Sequence, residues 1–215
     1  TLPAFSHVSK GQMVATVKII PFAVSGRLVR DVEAKFVNGS LQKVTVAAFT
    51  PKKTSVISTL LPGLKPSVID KTLDVLRSRL AASGSVITSD KRIAHREPDL
   101  AEIINLEHRA GAEMIVIFGA SAVVDEEDVS PAAIRLAGGQ VQHVGMPVDP
   151  GNLLVLGSIE NVPVIGAPGC ARSPKENGFD YVLNRLLANV PVTPHDITGM
   201  GVGGLLMEIA SRPQP

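Results

Sequence analysis

From residue 53 onward the chain alternates between two hydrophobic rhythms, and that alternation constrains the fold more than any other feature. Short runs rich in β-branched and apolar residues at 54–59, 85–89 and 113–118 are each followed by a helical pattern. In 67–82 the apolar positions are Val68, Ile69, Leu73, Leu76 and Leu80, and Gly84 stops the pattern. Further helices are expected at 99–110, 131–137, 174–189 and 196–210, and further strands at 140–146, 153–156 and 162–165. Such repeats build a mostly parallel sheet with helices on both faces, a three-layer α/β sandwich. Residues 1–50 lack the rhythm. A strand-like run at 13–20 ends at Pro21, and Asn38-Gly39 lies between 32–37 and 41–49 as a hairpin turn would. The expected organisation is a β-rich segment at 1–50, an α/β domain at 51–210 and a cut-short proline-rich linker at 211–215.

Composition narrows the function. A net charge of +1, without a dominant Lys/Arg block, argues against nucleic-acid binding. Aromatics are 3% of residues with no Trp, so base-stacking platforms are not expected either. One cysteine excludes an internal disulfide framework and fits a reducing, cytoplasmic setting. No apolar run approaches the length of a membrane span. The first residue is Thr1 and the last is Pro215, so both ends read as cut from a longer chain.

In sheets of this kind ligands collect at the carboxyl ends of the strands, which selects loops 58–66, 95–99, 119–128 and 167–174. The last reads Ala167-Pro168-Gly169-Cys170-Ala171-Arg172-Ser173-Pro174-Lys175. Gly169 permits close backbone approach, Ser173 can cap a helix and bind an anion, and Arg172 and Lys175 add charge. The alternative is an ordinary Ser cap with solvated cations. Cys170 reads as a packed side chain, since no His adjoins it in sequence to activate it. In loop 119–128, Gly119 and Ser121 can offer backbone amides and a hydroxyl. Asp125, Glu126, Glu127 and Asp128 cluster there and either favour the positive end of the next helix or hold Mg²⁺ beside a phosphate. Asp99, after Pro98, is a first-turn anion or a site carboxylate. The Gly199–Gly204 stretch matches G-x-G-x-x-G, but no buried strand precedes it and only eleven residues follow, so a dinucleotide site is not expected.

Together these segments resemble the molybdopterin-binding domains of molybdenum-cofactor biosynthesis proteins over roughly 53–190. The matching pieces are Phe118-Gly119-Ala120-Ser121-Ala122, then Asp128-Val129-Ser130-Pro131, the pair Pro98-Asp99, the step Val148-Asp149-Pro150-Gly151-Asn152, and 167–176. Ser58-Thr59 stands where that family has a serine-aspartate pair, Ala120 replaces its second glycine and Ala171 its second proline.

The resemblance implies a phosphorylated pterin, molybdopterin or its molybdenum form, held by Ser58, Thr59, Gly119, Ala120, Ser121, Asp125 and residues 168–173 with Lys175. Asp99 and Asp128 take the positions of catalytic or Mg²⁺-organising carboxylates, and a nucleotide can be a co-substrate. The missing aspartate and the added methyl groups favour binding over turnover. The resemblance also implies a homo-oligomer and, in a longer chain, a nucleotidyltransferase domain. Rival readings are an active adenylyl- or molybdo-transferase, a related nucleotide pyrophosphatase, and a degenerate scaffold that only oligomerises.

Overall fold

The computed structural model describes residues 1–18, 20–41, 44–63 and 66–201. The chain divides into two compact units, Thr1–Ala48 and Phe49–Pro215.

The first unit differs from the expectation of a hairpin. Its one regular element among the described residues is the helix α1 (Gly26–Val37), which occupies the hairpin's expected first strand. Ser25 caps it by accepting from Arg27 N–H, and Leu28, Val29, Val32 and Phe36 recur at helical spacing. Asn38-Gly39 then acts as a helix stop: Asn38 N–H donates to Ala34 O and Gly39 adopts φ +76°. A glycine at positive φ ends helices as readily as it turns hairpins, so the dipeptide is compatible with either.

The second unit follows the alternation. Its elements are β1 (Lys53–Leu60), α2 (Pro66–Ala81), β2 (Val86–Ala94), α3 (Glu97–Arg109), β3 (Met114–Phe118), α4 (Val129–Leu136), β4 (Gln140–Val144), β5 (Val155–Ile159), β6 (Val162–Ala167), α5 (Gly178–Leu187) and α6 (Pro194–Thr198). The sheet order is β2-β1-β3-β6-β5-β4. Pairings β1–β2, β1–β3 and β3–β6 are parallel, while β5 runs antiparallel to both β6 and β4. The β3 strand MIVIF is buried throughout because it sits inside the sheet with helices on both sides.

Side-chain alternation divides the core. Val56, Val116 and Ile165 join Leu73, Leu76 and Leu80 of α2 and Phe179 and Leu183 of α5 on one face. Ile57, Ile115 and Val164 join Leu100 and Ile104 of α3 and Ile134 of α4 on the other. The edge strand β2 runs past the expected 85–89 into Asp90-Lys91-Arg92, since its alternate side chains reach solvent. Helix α5 begins at Gly178, later than expected. Asn177 is its cap, accepting from Phe179 N–H, while Asp180 accepts from Asn177 N–H. Part of the helix expected at 196–210, and the linker at 211–215, lie outside the described residues.

Candidate functional site

At the carboxyl ends of β3 and β6, loops after both strands meet the β4–β5 connection around a cleft of about 390 Å³. Gly119, Ala120 and Ser121 line it from the first loop, Pro168, Gly169, Cys170 and Arg172 from the second, and 149–153 from the connection. Three stretches quoted from the sequence thus meet around one cavity.

Arg172 ends a short 3-10 turn (Gly169–Arg172) and is half-buried. Its Nη1 donates to Thr72 Oγ1 at 3.1 Å and its Nη2 to the Gly119 carbonyl at 3.0 Å. The guanidinium lies over the Phe118 ring, 5.2 Å from the centroid. No carboxylate pairs with it among the described residues, and burial pulls its pKa below the ordinary arginine value. A half-buried cation that lines the cleft and has no carboxylate bonded to its guanidinium among the described residues is electrostatically suited to an incoming anion.

Arg79 of α2 is treated differently. Its Nε donates to Asp180 Oδ1 at 2.6 Å, Nη1 to Ala171 O at 2.7 Å, and Nη2 to Ser173 O at 2.8 Å and Lys175 O at 3.2 Å. This arginine fixes the shape of the loop that carries Arg172. Ser173 accepts from Lys175 N–H rather than capping α5. Lys175 is exposed, and Ala171, Ser173 and Lys175 lie outside the cleft's lining.

Ser58 and Thr59 are buried in β1, at 1% and 0% exposure, and neither lines the cleft. Thr59 Oγ1 accepts from Ala120 N–H at 2.8 Å and lies 2.8 Å from His95 Nδ1. With a lone pair filled by Ala120, the hydroxyl has its proton free for Nδ1, which fits a neutral imidazole. Burial lowers the His95 pKa, and the nearby Asp128 charge opposes this more weakly.

The acidic loop is internally bonded. Asp128 Oδ2 accepts from Val124 N–H at 2.7 Å and Asp125 N–H at 3.0 Å, which holds its carboxyl below the usual range. Asp125 Oδ1 accepts from Glu127 N–H at 2.8 Å. Asp99 stands in the first turn of α3 and accepts from Arg96 Nε and Nη2 at 2.9 and 2.7 Å. Asp99, Asp125 and Asp128 do not line the cleft. Among the described residues no three His, Cys, Asp or Glu side chains are grouped to hold a metal ion.

Cys170 is half-buried, its Sγ 3.7 Å from Asn177 Oδ1, and burial pushes its pKa up. The Gly199–Gly201 part of the glycine string forms a 3-10 turn, and the rest lies outside the described residues.

Thr72, Arg79 and His95 shape the site without standing out in the sequence as site residues. Thr72 and Arg79 carry a signal, since both share the buried face of α2 with Ile69, Leu76 and Leu80. His95 has none, because its partner is 36 residues away.

No described helix is long and apolar enough to cross a membrane. No family model and no curated protein matches the chain. Among solved structures, the chain is similar to the molybdopterin biosynthesis enzyme MoaB from Thermus thermophilus, at 17% identity and a TM-score of 0.43, over 70% of this chain and 97% of that one. It is similar also to CinA, a protein of unknown function from Thermoplasma acidophilum, at 14% identity and a TM-score of 0.43, over 66% of this chain and 99% of that one. Likenesses at this level assign no activity to the chain.

Proposed function

We propose that the cleft binds molybdopterin or its molybdenum-loaded form, with Arg172 taking the phosphate. The observation that carries this reading is the half-buried Arg172 guanidinium, which has two neutral acceptors and no carboxylate partner among the described residues. A phosphate supplies the missing charge and matches the planar donor fork. Asn152 also lines the cleft, and its side-chain carbonyl can accept from the N–H edge of a pterin. Val68, Ile117 and Leu153 give it apolar wall for the ring. The motif resemblance at 118–131, 148–152 and 167–176 supports the same ligand class.

The reading is one of binding rather than turnover. Asp99 and Asp128, the carboxylates that would organise Mg²⁺, are engaged by Arg96 and by loop N–H groups. As they stand they do not fit a Mg²⁺ donor set. The domain's role is then to hold the cofactor for a partner activity, as a homo-oligomer or beside a nucleotidyltransferase domain.

The test is anaerobic calorimetric titration with molybdopterin, comparing the wild-type chain with Arg172→Met. Loss of a charge-assisted contact worth about 1.5–3 kcal/mol weakens binding roughly 10- to 100-fold. Equal affinity in the two proteins refutes the assignment of Arg172, and no binding by folded wild type refutes the ligand.

A further inference from the structure

The resemblance gives Thr59 a place among ligand-contacting residues, but the side chain is fully buried and off the cleft lining, so it cannot touch a ligand there. What it does touch are the ends of two neighbouring strands. Its hydroxyl takes the Ala120 N–H just beyond β3 and meets His95 Nδ1 just beyond β2, both at 2.8 Å. Further along the same loop, Asp128 takes the N–H groups of Val124 and Asp125. The backbone N–H groups of Ser121, Ala122 and Val123, between those two anchors, make no hydrogen bond to the described protein, and all three residues line the cleft. A wall of this kind has no ladder or helix to hold it; Val123 packs against the core, and hydrogen bonds tie the two ends.

We propose that Thr59 is a positioning residue for the cleft: by bonding Ala120 it fixes the Ser121–Val123 wall, with His95 as the partner that orients its hydroxyl. Thr59 thus acts through Ala120 and not by contact with ligand. Its consequence for affinity rests on the binding reading above, while its consequence for the loop does not. The side chain shape of threonine is secondary here, and the hydroxyl is the functional part. Valine keeps the volume but leaves Ala120 N–H and His95 Nδ1 unpaired, whereas serine keeps both bonds.

The test uses the whole chain with Thr59→Val and Thr59→Ser, read by amide hydrogen exchange and by molybdopterin titration. In Thr59→Val, exchange at Ala120 is expected to rise about tenfold or more, with Val116 in the centre of β3 unchanged, and affinity to fall about tenfold. Thr59→Ser is expected to restore both. Unchanged Ala120 protection in Thr59→Val, or a serine variant that exchanges like the valine one, overturns the proposal. Affinity unchanged while the loop loosens overturns its functional half. A wild-type chain that binds no molybdopterin sinks the binding reading, and Ala120 exchange then decides the role of Thr59 alone.

Discussion

Two arginines hold the same loop and should differ widely in what the same substitution costs. Arg79→Met removes the centre of a network in which the arginine and Asp180 side chains are only 10% and 14% exposed. Asp180 would keep its bond from Asn177 N–H but lose its counter-charge, and the carbonyls of Ala171, Ser173 and Lys175 would lose their shared donor. Breaking a largely buried pair by removing one partner costs about 3–5 kcal/mol. Arg172→Met gives up two hydrogen bonds from a charged donor, about 1.5–3 kcal/mol each, and a cation–π contact of about 1 kcal/mol. Against this stands relief of burying an unneutralised cation, a penalty of several kcal/mol. The two sides oppose each other, and the net loss is expected to stay below that of Arg79→Met.

The assay is guanidinium unfolding of both variants at neutral pH, accepted only where the slope with denaturant matches wild type. A loss in Arg172→Met as large as that in Arg79→Met would refute the reasoning. Arg172 would then be a structural pin, and its lack of a carboxylate would have no bearing on ligand binding. A small loss accompanied by lost molybdopterin affinity would show stability given up at the site for binding.

Glycine positions separate packing from access. Gly151 has φ +135° and a Cβ there would lie 2.7 Å from Gly178 Cα, so Gly151→Ala should destabilise by about 2 kcal/mol or more, whereas Gly169→Ala meets no atom within 4 Å and should unfold within about 0.5 kcal/mol of wild type. Urea titrations of the pair check this, and equal losses contradict it. For His95, whose folded pKa lies below its unfolded value, the unfolded chain takes up the proton first. Its contribution is therefore present above about pH 6.5 and lost as pH falls through the lowered folded pKa, a slope that should vanish in His95→Gln when stability is followed against pH. Cys170, with its raised pKa, should react with iodoacetamide more slowly than a free thiol at pH 8, and molybdopterin should slow it further. A rate equal to that of free cysteine would count against the packed, cleft-lining thiol.

The α/β architecture is legible in the sequence, because the periods of two and 3.6 residues report which side chains meet core and which meet water. That information is local, so β1, α2, α3 and β3 were legible from 54–59, 67–82, 99–110 and 113–118. It also marked the loops after β3 and β6, since glycine, proline and cation placement beyond a buried strand is a local signal too. Local signals failed where one residue type serves two ends: Asn38-Gly39 stops a helix here, and Ser173 yields the cap to Asn177. Which polar groups are already committed becomes visible when distant segments meet in the fold. Arg79 and Arg172 are the same residue in the sequence, yet one meets Asp180, 101 positions away, and the other meets no carboxylate among the described residues. Asp128 and Thr59 likewise show in the sequence only that they can accept, and the fold shows that both accept from backbone N–H groups. Charge and hydrogen-bonding capacity are written in the sequence, but how much of either is left for a ligand depends on neighbours that only folding brings together.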